Sequence, residues 1–584
     1  MKKINTPEKY GRRALLALVP AALLAYTLIF IGPLDILNSN QVYVPFSASA
    51  FFWPMLLLAI ATALVLAALM GLCRGRVYAV TFSLIAALAV MAYLQGLFFN
   101  GELTTLDGSV FQWRDDIPAT IRNGLLWLFV LGGTAVLSLF FFKEVRLLIL
   151  VLCAAAFVSQ SVGLISSWSG TDSTSPNWQL DGSTEMELSS RENIIVITLD
   201  QTSPLIFEMA IEGDEALQTC FKDFEYFDNM GSEYSLTFPS LCFLLTNERF
   251  DGSIPTLDYF RQSWSSEHCE NIYTAFHERN YEVKLYVESN YAAYSAENMV
   301  GKADNVVQAG RLTMDSTLIV DALELSLYRY CPRILKTAVC ISTTQVTADA
   351  TYDNVVPMRL AADFYDALAE GLTTQDEKNC FVWYHLDGSH FPYTVGYDGV
   401  PLGYETEQNS DNRVAQLHGY LTMVADYLEQ LKALDLYDDA TIIISTDHGY
   451  YECYQAMFMI KQPGQSFETM RVNSAPVTQG EVMPTILQAL GADYSDYGTT
   501  VYDWQEGDER QRSAKILRYI DSYPEVDWIG NIDQWETTAH GWHRYNVFAV
   551  LNYTGDREEL KTKQAALVYT KTADEFLPLT DSFY

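Results

Sequence analysis

The side chains best suited to chemistry lie far apart in the chain. Asp200 closes the run NIIVITLD (193–200), and Asp447 with His448 closes TIIISTDH (441–448). Between them, Thr237 stands two residues before Pro239 and ahead of the apolar run SLCFLLT. A proline near the first turn marks a helix start, whose amides and dipole favour an anion. Two carboxylates, an imidazole and a hydroxyl make a donor shell suited to zinc or manganese. A hydroxyl in such a shell is deprotonated more readily and can attack phosphorus or sulfur. Ser235 is the competing hydroxyl. His390, after the Gly388-Ser389 turn, is placed to hold a phosphate oxygen or to protonate a leaving group. His385, inside an apolar strand, reads first as a hydrogen-bonded core residue and second as a substrate contact. Taken singly, an aspartate at a strand end is a cap and Thr237 is an N-cap; their joint order and strand context carry the reading.

Three short β-branched runs position these groups: 193–200, 379–387 (NCFVWYHLD) and 441–447. They are continuously apolar rather than alternating, as parallel strands buried on both faces are. A helical pattern from Val414 to Leu434 precedes the last, with apolar residues at Leu417, Leu421, Val424, Leu428 and Leu431. The expected fold class is α/β, a mostly parallel central sheet flanked by helices. In such sheets ligands gather at the carboxyl ends of strands, where all three runs place a polar group.

The 584-residue chain is 49% hydrophobic, which excludes a disordered or low-complexity protein. Its 37 Lys+Arg against 72 Asp+Glu give a net charge of −35, which excludes a nucleic-acid binder with a basic face. Up to residue 170 there are 11 basic and 7 acidic residues, net +4; the remainder carries 26 and 65, net −39. Five stretches in the first part are long enough to span a bilayer: Ala14–Leu37, Phe51–Cys73, Val77–Phe99, Gly124–Phe142 and Leu147–Trp168. Basic residues collect at the N-terminus, in CRGR and in KEVR, so alternate connections are basic and the N-terminus is expected in the cytoplasm. Five crossings then place the acidic part outside the cell membrane. The expected organisation is a five-helix transmembrane domain (1–168), a Ser/Thr/Asp/Gly-rich linker (169–192), a catalytic domain (193–515) and a small C-terminal subdomain (516–584). Seven of nine cysteines follow the linker, and a Cys331–Cys340 bridge is conceivable. The segment Leu318–Ile341 reads as a helix packed on the domain or, alternatively, as one lying in the outer leaflet, with Pro332 splitting it. The HGWH run (540–543) is noted without a role.

These motifs resemble the sulfatase-like branch of the alkaline phosphatase superfamily, and the whole layout is similar to lipoteichoic acid synthases and phosphoethanolamine transferases. NIIVITLDQT looks like the family's first strand with its acidic metal ligand, and SLTFPSLCFLLTN like the nucleophile segment. HLDGSHFPY (385–393) is similar to H-x-x-G-S-H-x-P-Y, and TIIISTDHG to the strand ending in the Asp-His ligand pair. AMFMIKQPG (456–464) and VMPTILQALG (482–491) resemble the segments that follow. Three departures count against a sulfatase: Gln201 follows Asp200 where a second Asp is usual, Leu241 replaces an Arg, and Thr237 replaces the Cys or Ser oxidised to formylglycine. The resemblance implies one divalent metal, manganese or zinc rather than calcium or magnesium, held by Asp200, Thr237, Asp447 and His448. It implies Thr237 as nucleophile and His390 with His385 as substrate contacts. The implied partners are a phospholipid donor of phosphoglycerol or phosphoethanolamine and a glycolipid, polymer or glycan acceptor, joined through a phospho-threonine intermediate. The rival readings are a sulfatase or phosphodiesterase using water, and a non-catalytic wall-binding protein.

Overall fold

The computed structural model describes residues 9–39, 46–100, 117–168, 177–339, 350–450, 454–519, 545–554 and 559–560. The chain forms two units, Met1–Asn177 with Ala309–Asn354, and Trp178–Gln308 with Val355–Tyr584.

Among the described residues of the first unit, four helical stretches are long and apolar enough to cross a bilayer: Tyr10–Ser39, Ala48–Leu72, Gly75–Phe99 and Ile117–Ser166. They contain helices α1 (Tyr10–Ala25), α2 (Gly32–Ser39), α3 (Phe52–Leu72), α4 (Gly75–Leu94) and α5 (Ile117–Trp168). The last two expected spans both fall within α5, whose dihedrals break at Phe141 (φ −128°, ψ 37°). Its contacts with α4 and with the π-helical turn Gln95–Phe99 that follows it change direction there. Asn123 Nδ2 and Trp127 Nε1 donate to Gln95 Oε1 at 2.7 and 2.9 Å. Phe142 meets Tyr78 and Phe82 near the opposite end, and Ser159 is back beside Tyr93, with hydroxyl oxygens 2.8 Å apart. The buried amides and indole satisfy one another in this apolar bundle, as polar groups on packed apolar helices must.

The helix Ser316–Tyr330 belongs to this same unit. Ser326 Oγ donates to the Leu28 carbonyl at 2.6 Å, inside the π-helical turn Tyr26–Ile31 that joins α1 to α2. Arg329 pairs with Asp35 at 2.6 Å. A Cβ on Gly32 would come within 2.0 Å of Ser326 Oγ, so only glycine allows this approach. The segment therefore packs against the apolar helices, and Pro332 separates it from the 3₁₀ turn Arg333–Ala338.

The second unit is built on a seven-stranded sheet. Its strands are β1 (Asn193–Leu199), β2 (Glu225–Gly231), β3 (Tyr281–Tyr286), β4 (Asn379–Leu386), β5 (Thr441–Ser445), β6 (Gln455–Lys461) and β7 (Arg471–Asn473). They lie in the order β7-β2-β6-β5-β1-β4-β3. The three chemistry-bearing strands are neighbours and parallel, Val196 pairing with Trp383 and with Ile443. The sheet as a whole is mixed: β6 runs antiparallel to both β5 and β2. Nine residues separate Ser445 from Gln455, too few for a parallel crossover, which needs a dozen or more.

Each face has its own core. Helix α6 (Thr237–Thr246) packs Leu241–Leu245 with Ile194, Val196, Phe381, Trp383 and Ile443. On the other face, helix α7 (Ser410–Ala433) places Leu417, Leu421, Val424, Leu428 and Leu431 against Ile195, Ile197, Ile442 and Ile444. Each fully buried aliphatic side chain contributes about 1.5–3 kcal/mol, so the two helices fix the sheet firmly.

Candidate active site

Strand pleating brings the site together. Ile194 and Val196, Phe381 and Trp383, and Ile443 face the core that holds α6. Continuing by alternate positions along each strand leads to Asp200, His385 and Asp447. The loops beyond the strands are tied to one another. Asp200 N donates to the Leu386 carbonyl at 2.8 Å, and Ser389 N to the Asp200 carbonyl at 3.0 Å. Gly388 (φ +52°) lies against this backbone: a Cβ would come within 2.7 Å of the Asp200 carbonyl oxygen. Gln201 N donates to Asp447 Oδ1 at 3.0 Å, and the Gln201 carbonyl accepts from Ser389 Oγ and from Arg413 Nη2, both at 2.8 Å. Arg413 reaches in from α7 and also lies over the Tyr450 ring at 4.6 Å, so one buried guanidinium spans all three loops.

At the centre, His448 Nε2 stands 3.5 Å from both Asp200 Oδ1 and Asp447 Oδ2, and 3.4 Å from Thr237 Oγ1. His448 Nδ1 donates to the Gly449 carbonyl at 2.6 Å, which leaves the Nε2 lone pair facing the cluster. Asp200 Oδ1, Asp447 Oδ2 and His385 Nε2 are buried atoms without a hydrogen-bond partner. Those three residues offer ligand atoms within 4.8 Å of one another. Buried polar atoms are normally hydrogen-bonded, and three orphans converging on one point match the donor set of a divalent cation. The possible metal site is thus an Asp-His-Asp trio flanked by His448 and Thr237.

The charges agree. Burial pushes the Asp200 carboxyl well above its usual range, and the neighbouring Asp447 adds to the shift. For Asp447, burial is outweighed by His448, His385 and the Gln201 amide, which hold the group below the usual carboxylate range. The two acids thus share their negative charge unequally, and a cation between them would ionise both. Burial lowers His390, and His448 lowers it further, so its ring is neutral near pH 7. Burial and Glu288 push Asp387 up to about 7.

Asp200, Thr237, Asp447 and His448 therefore meet, although 247 positions separate the outer two. Thr237 opens α6, and Ser235 is occupied elsewhere: its hydroxyl accepts from Leu517 N at 2.9 Å in the strand Arg512–Tyr519. His390 follows in the β4 loop, within electrostatic range of His448, Asp447 and His385. His385 is a member of the central trio as well as a core residue. Glu288, just beyond β3, was missed; its carboxylate accepts from His385 Nδ1 at 2.7 Å. Among the described residues Cys220, Cys242, Cys269 and Cys380 are buried free thiols. Cys340 and the HGWH run lie outside the described residues.

A sulfatase family model matches residues 192–492, more than half of the chain. The chain belongs to the sulfatase family. No curated protein sequence matches it. Among solved structures, it is similar to the lipoteichoic acid synthase LtaP from Listeria monocytogenes: 12% identity, TM-score 0.35, covering 58% of this chain and 79% of that one. It is also similar to a phosphonate monoester hydrolase from Silicibacter pomeroyi: 15% identity, TM-score 0.31, covering 56% and 80%. A third is an alkaline phosphatase superfamily protein from Vibrio parahaemolyticus: 11% identity, TM-score 0.34, covering 68% and 90%.

Proposed function

We propose that this protein is a membrane-anchored, metal-dependent transferase that moves a phosphorylated head group from a phospholipid to an extracellular acceptor hydroxyl. The observation that carries this reading is Thr237 Oγ1, at the start of α6 and 3.4 Å from His448 Nε2, beside three orphaned buried donors. A hydroxyl stands where a hydrolytic sulfatase needs formylglycine. Asp200, Asp447, His448 and Thr237 would hold the ion, and two imidazoles near it favour manganese or zinc over calcium or magnesium. A bound cation supplies positive charge that acidifies the Thr237 hydroxyl and offsets the charge of the incoming phosphate.

Thr237 Oγ passes its proton to solvent or to a site imidazole and attacks the phosphodiester; a Thr–O–P bond forms as the bond to the diacylglycerol oxygen breaks. The leaving oxygen takes a proton from solvent or a site imidazole. The acceptor hydroxyl then attacks phosphorus and releases Thr237. The neutral ring of His390 is suited to take the acceptor's proton or to donate its single N–H to a phosphoryl oxygen.

The apolar unit suits a lipid donor, which is met at a bilayer. We infer five crossings: the contacts of α5 descend α4 from Gln95 to Tyr78, turn at Phe141 and ascend to Tyr93. With a cytoplasmic N-terminus, the acidic unit is then outside. Full-length protein given phosphatidylglycerol or phosphatidylethanolamine with a labelled head group tests the reaction. Label moving onto glycolipid, polymer or glycan supports transfer. Release of free glycerol phosphate or ethanolamine phosphate supports hydrolysis instead, and no turnover with bound metal defeats both.

A further inference from the structure

His385 carries a second contact that the transferase reading does not use. Strand order places β4 between β1 and β3, with His385 opposite Thr198 on one side and Tyr384 opposite Tyr286 on the other. The ring is therefore flanked by the two loops that leave β1 and β3. From the first comes Asp200, and from the second comes Glu288, whose Oε2 lies 2.7 Å from His385 Nδ1. The imidazole itself is 2% exposed, whereas about a third of the Glu288 side chain is reachable by solvent. Across the ring, Nε2 is 3.7 Å from Asp447 Oδ2, a separation too long for a hydrogen bond. That nitrogen is one of the three orphaned buried atoms of the cluster.

We propose that Glu288 is a positioning residue that keeps the proton of His385 on Nδ1 and turns Nε2 inward as a third buried donor, with Asp200 and Asp447, to the site's divalent cation. A carboxylate behind a metal-binding histidine fixes both its tautomer and its ring plane, and raises its basicity toward the metal. His448 is arranged the same way, with the Gly449 carbonyl in the part of Glu288. The two imidazoles thus present Nε2 from different strands, one backed by a neutral carbonyl and the other by an anion. The difference in backing makes His385 the more strongly donating of the two. The proposal rests on the reading of this cluster as a metal centre.

The test uses full-length protein in detergent, stripped with a chelator and titrated with Mn2+ and Zn2+ against a competing chelator. E288A should weaken the apparent affinity by about 10–100-fold, the range for loss of a supporting contact, and H385Q, which removes a donor, by at least as much. E288Q, which can still accept from Nδ1, should fall between E288A and the unaltered protein. In Co2+-loaded samples the d–d absorption should shift in H385Q and E288A and stay near its original position in T469A, an exposed control. A merely structural role for Glu288 would lower the melting temperature of the metal-free protein without changing affinity or spectrum, and would overturn the proposal. So would unchanged affinity in H385Q, which would mark the ring as a charged bridge between Glu288 and Asp447. Failure of the unaltered protein to bind either ion would instead overturn the reading of the cluster as a metal centre.

Discussion

At the scale of single residues, the two hydroxyls of the nucleophile segment are separated by what each already does. Thr237 Oγ1 points to His448, while Ser235 Oγ is engaged by the Leu517 amide. Thr237→Ala should lower turnover on the order of 10⁴-fold or more, because the covalent route depends on that oxygen. Metal affinity should fall far less, since one donor of several is lost. Ser235→Ala should leave turnover intact but cost about 1–3 kcal/mol of stability, the penalty for a buried amide left unsatisfied. Substrate trapping followed by peptide mapping reads the first effect, and thermal denaturation the second; a phosphoryl group on Ser235 would reverse the assignment. Thr237, Asp200, Asp447 and His448 were legible because each sits at a recognisable strand or helix end. Glu288 was not. Its partner is set by β3 lying beside β4, and nothing in the linear order of ESNY and YHLD announces that adjacency.

At the scale of elements, the site depends on loops held by backbone contacts that tolerate no extra atom. Gly388→Ala adds a Cβ 2.7–2.8 Å from the Asp200 carbonyl oxygen and amide nitrogen, at a φ of +52° that L side chains avoid. The backbone carrying Asp200 must move, so metal affinity should drop roughly tenfold or more, as for loss of a supporting shell. Chelator competition on the variant checks this; unchanged affinity would show that the loops relax independently. The inserted helix Ser316–Tyr330 depends on a similar closeness. Gly32→Val would collide with Ser326 and Tyr330, and overpacking of this kind costs about 1–3 kcal/mol. Trypsin should then cut faster at Arg329, Arg333 and Lys336 in detergent-solubilised protein, and an unaltered digestion rate would contradict the packing. The buried strands were readable from their continuous apolar runs. The antiparallel course of β6 was hidden, because a run buried on both faces looks the same in either direction. The inserted helix was equally ambiguous, since an apolar stripe does not name the surface that it covers.

At the scale of the whole molecule, the charge asymmetry and the apolar helices together set a part long and apolar enough to cross a membrane apart from a strongly acidic part. The proposed topology puts the CRGR connection in the cytoplasm. A membrane-impermeant maleimide should therefore label Cys73 only after cells are permeabilised, and labelling in intact cells would overturn the orientation. The acidic part carries a net charge of −39, so its self-repulsion grows as its acids ionise. Away from the site, a further acid resists ionisation as Asp200 and Asp387 do. Glu185 is buried, with its side chain 1% exposed, and accepts from the Arg359 amide at 3.1–3.2 Å. Burial, only partly offset by Arg359, pushes its carboxyl up from 4.5 to about 8. Between those values the unfolded chain releases this proton and the folded chain keeps it. Stability therefore falls as pH rises, by up to about 1.4 kcal/mol per pH unit, and the loss levels off above the folded value. Glu185→Gln keeps an acceptor for the Arg359 amide but has no proton to lose. Its melting temperature relative to the unaltered protein should thus be nearly unchanged at pH 5 and clearly higher at pH 8.5. The general repulsion of the acidic part is common to both proteins and cancels in the difference. A difference that is flat with pH would show that Glu185 ionises freely in the folded state.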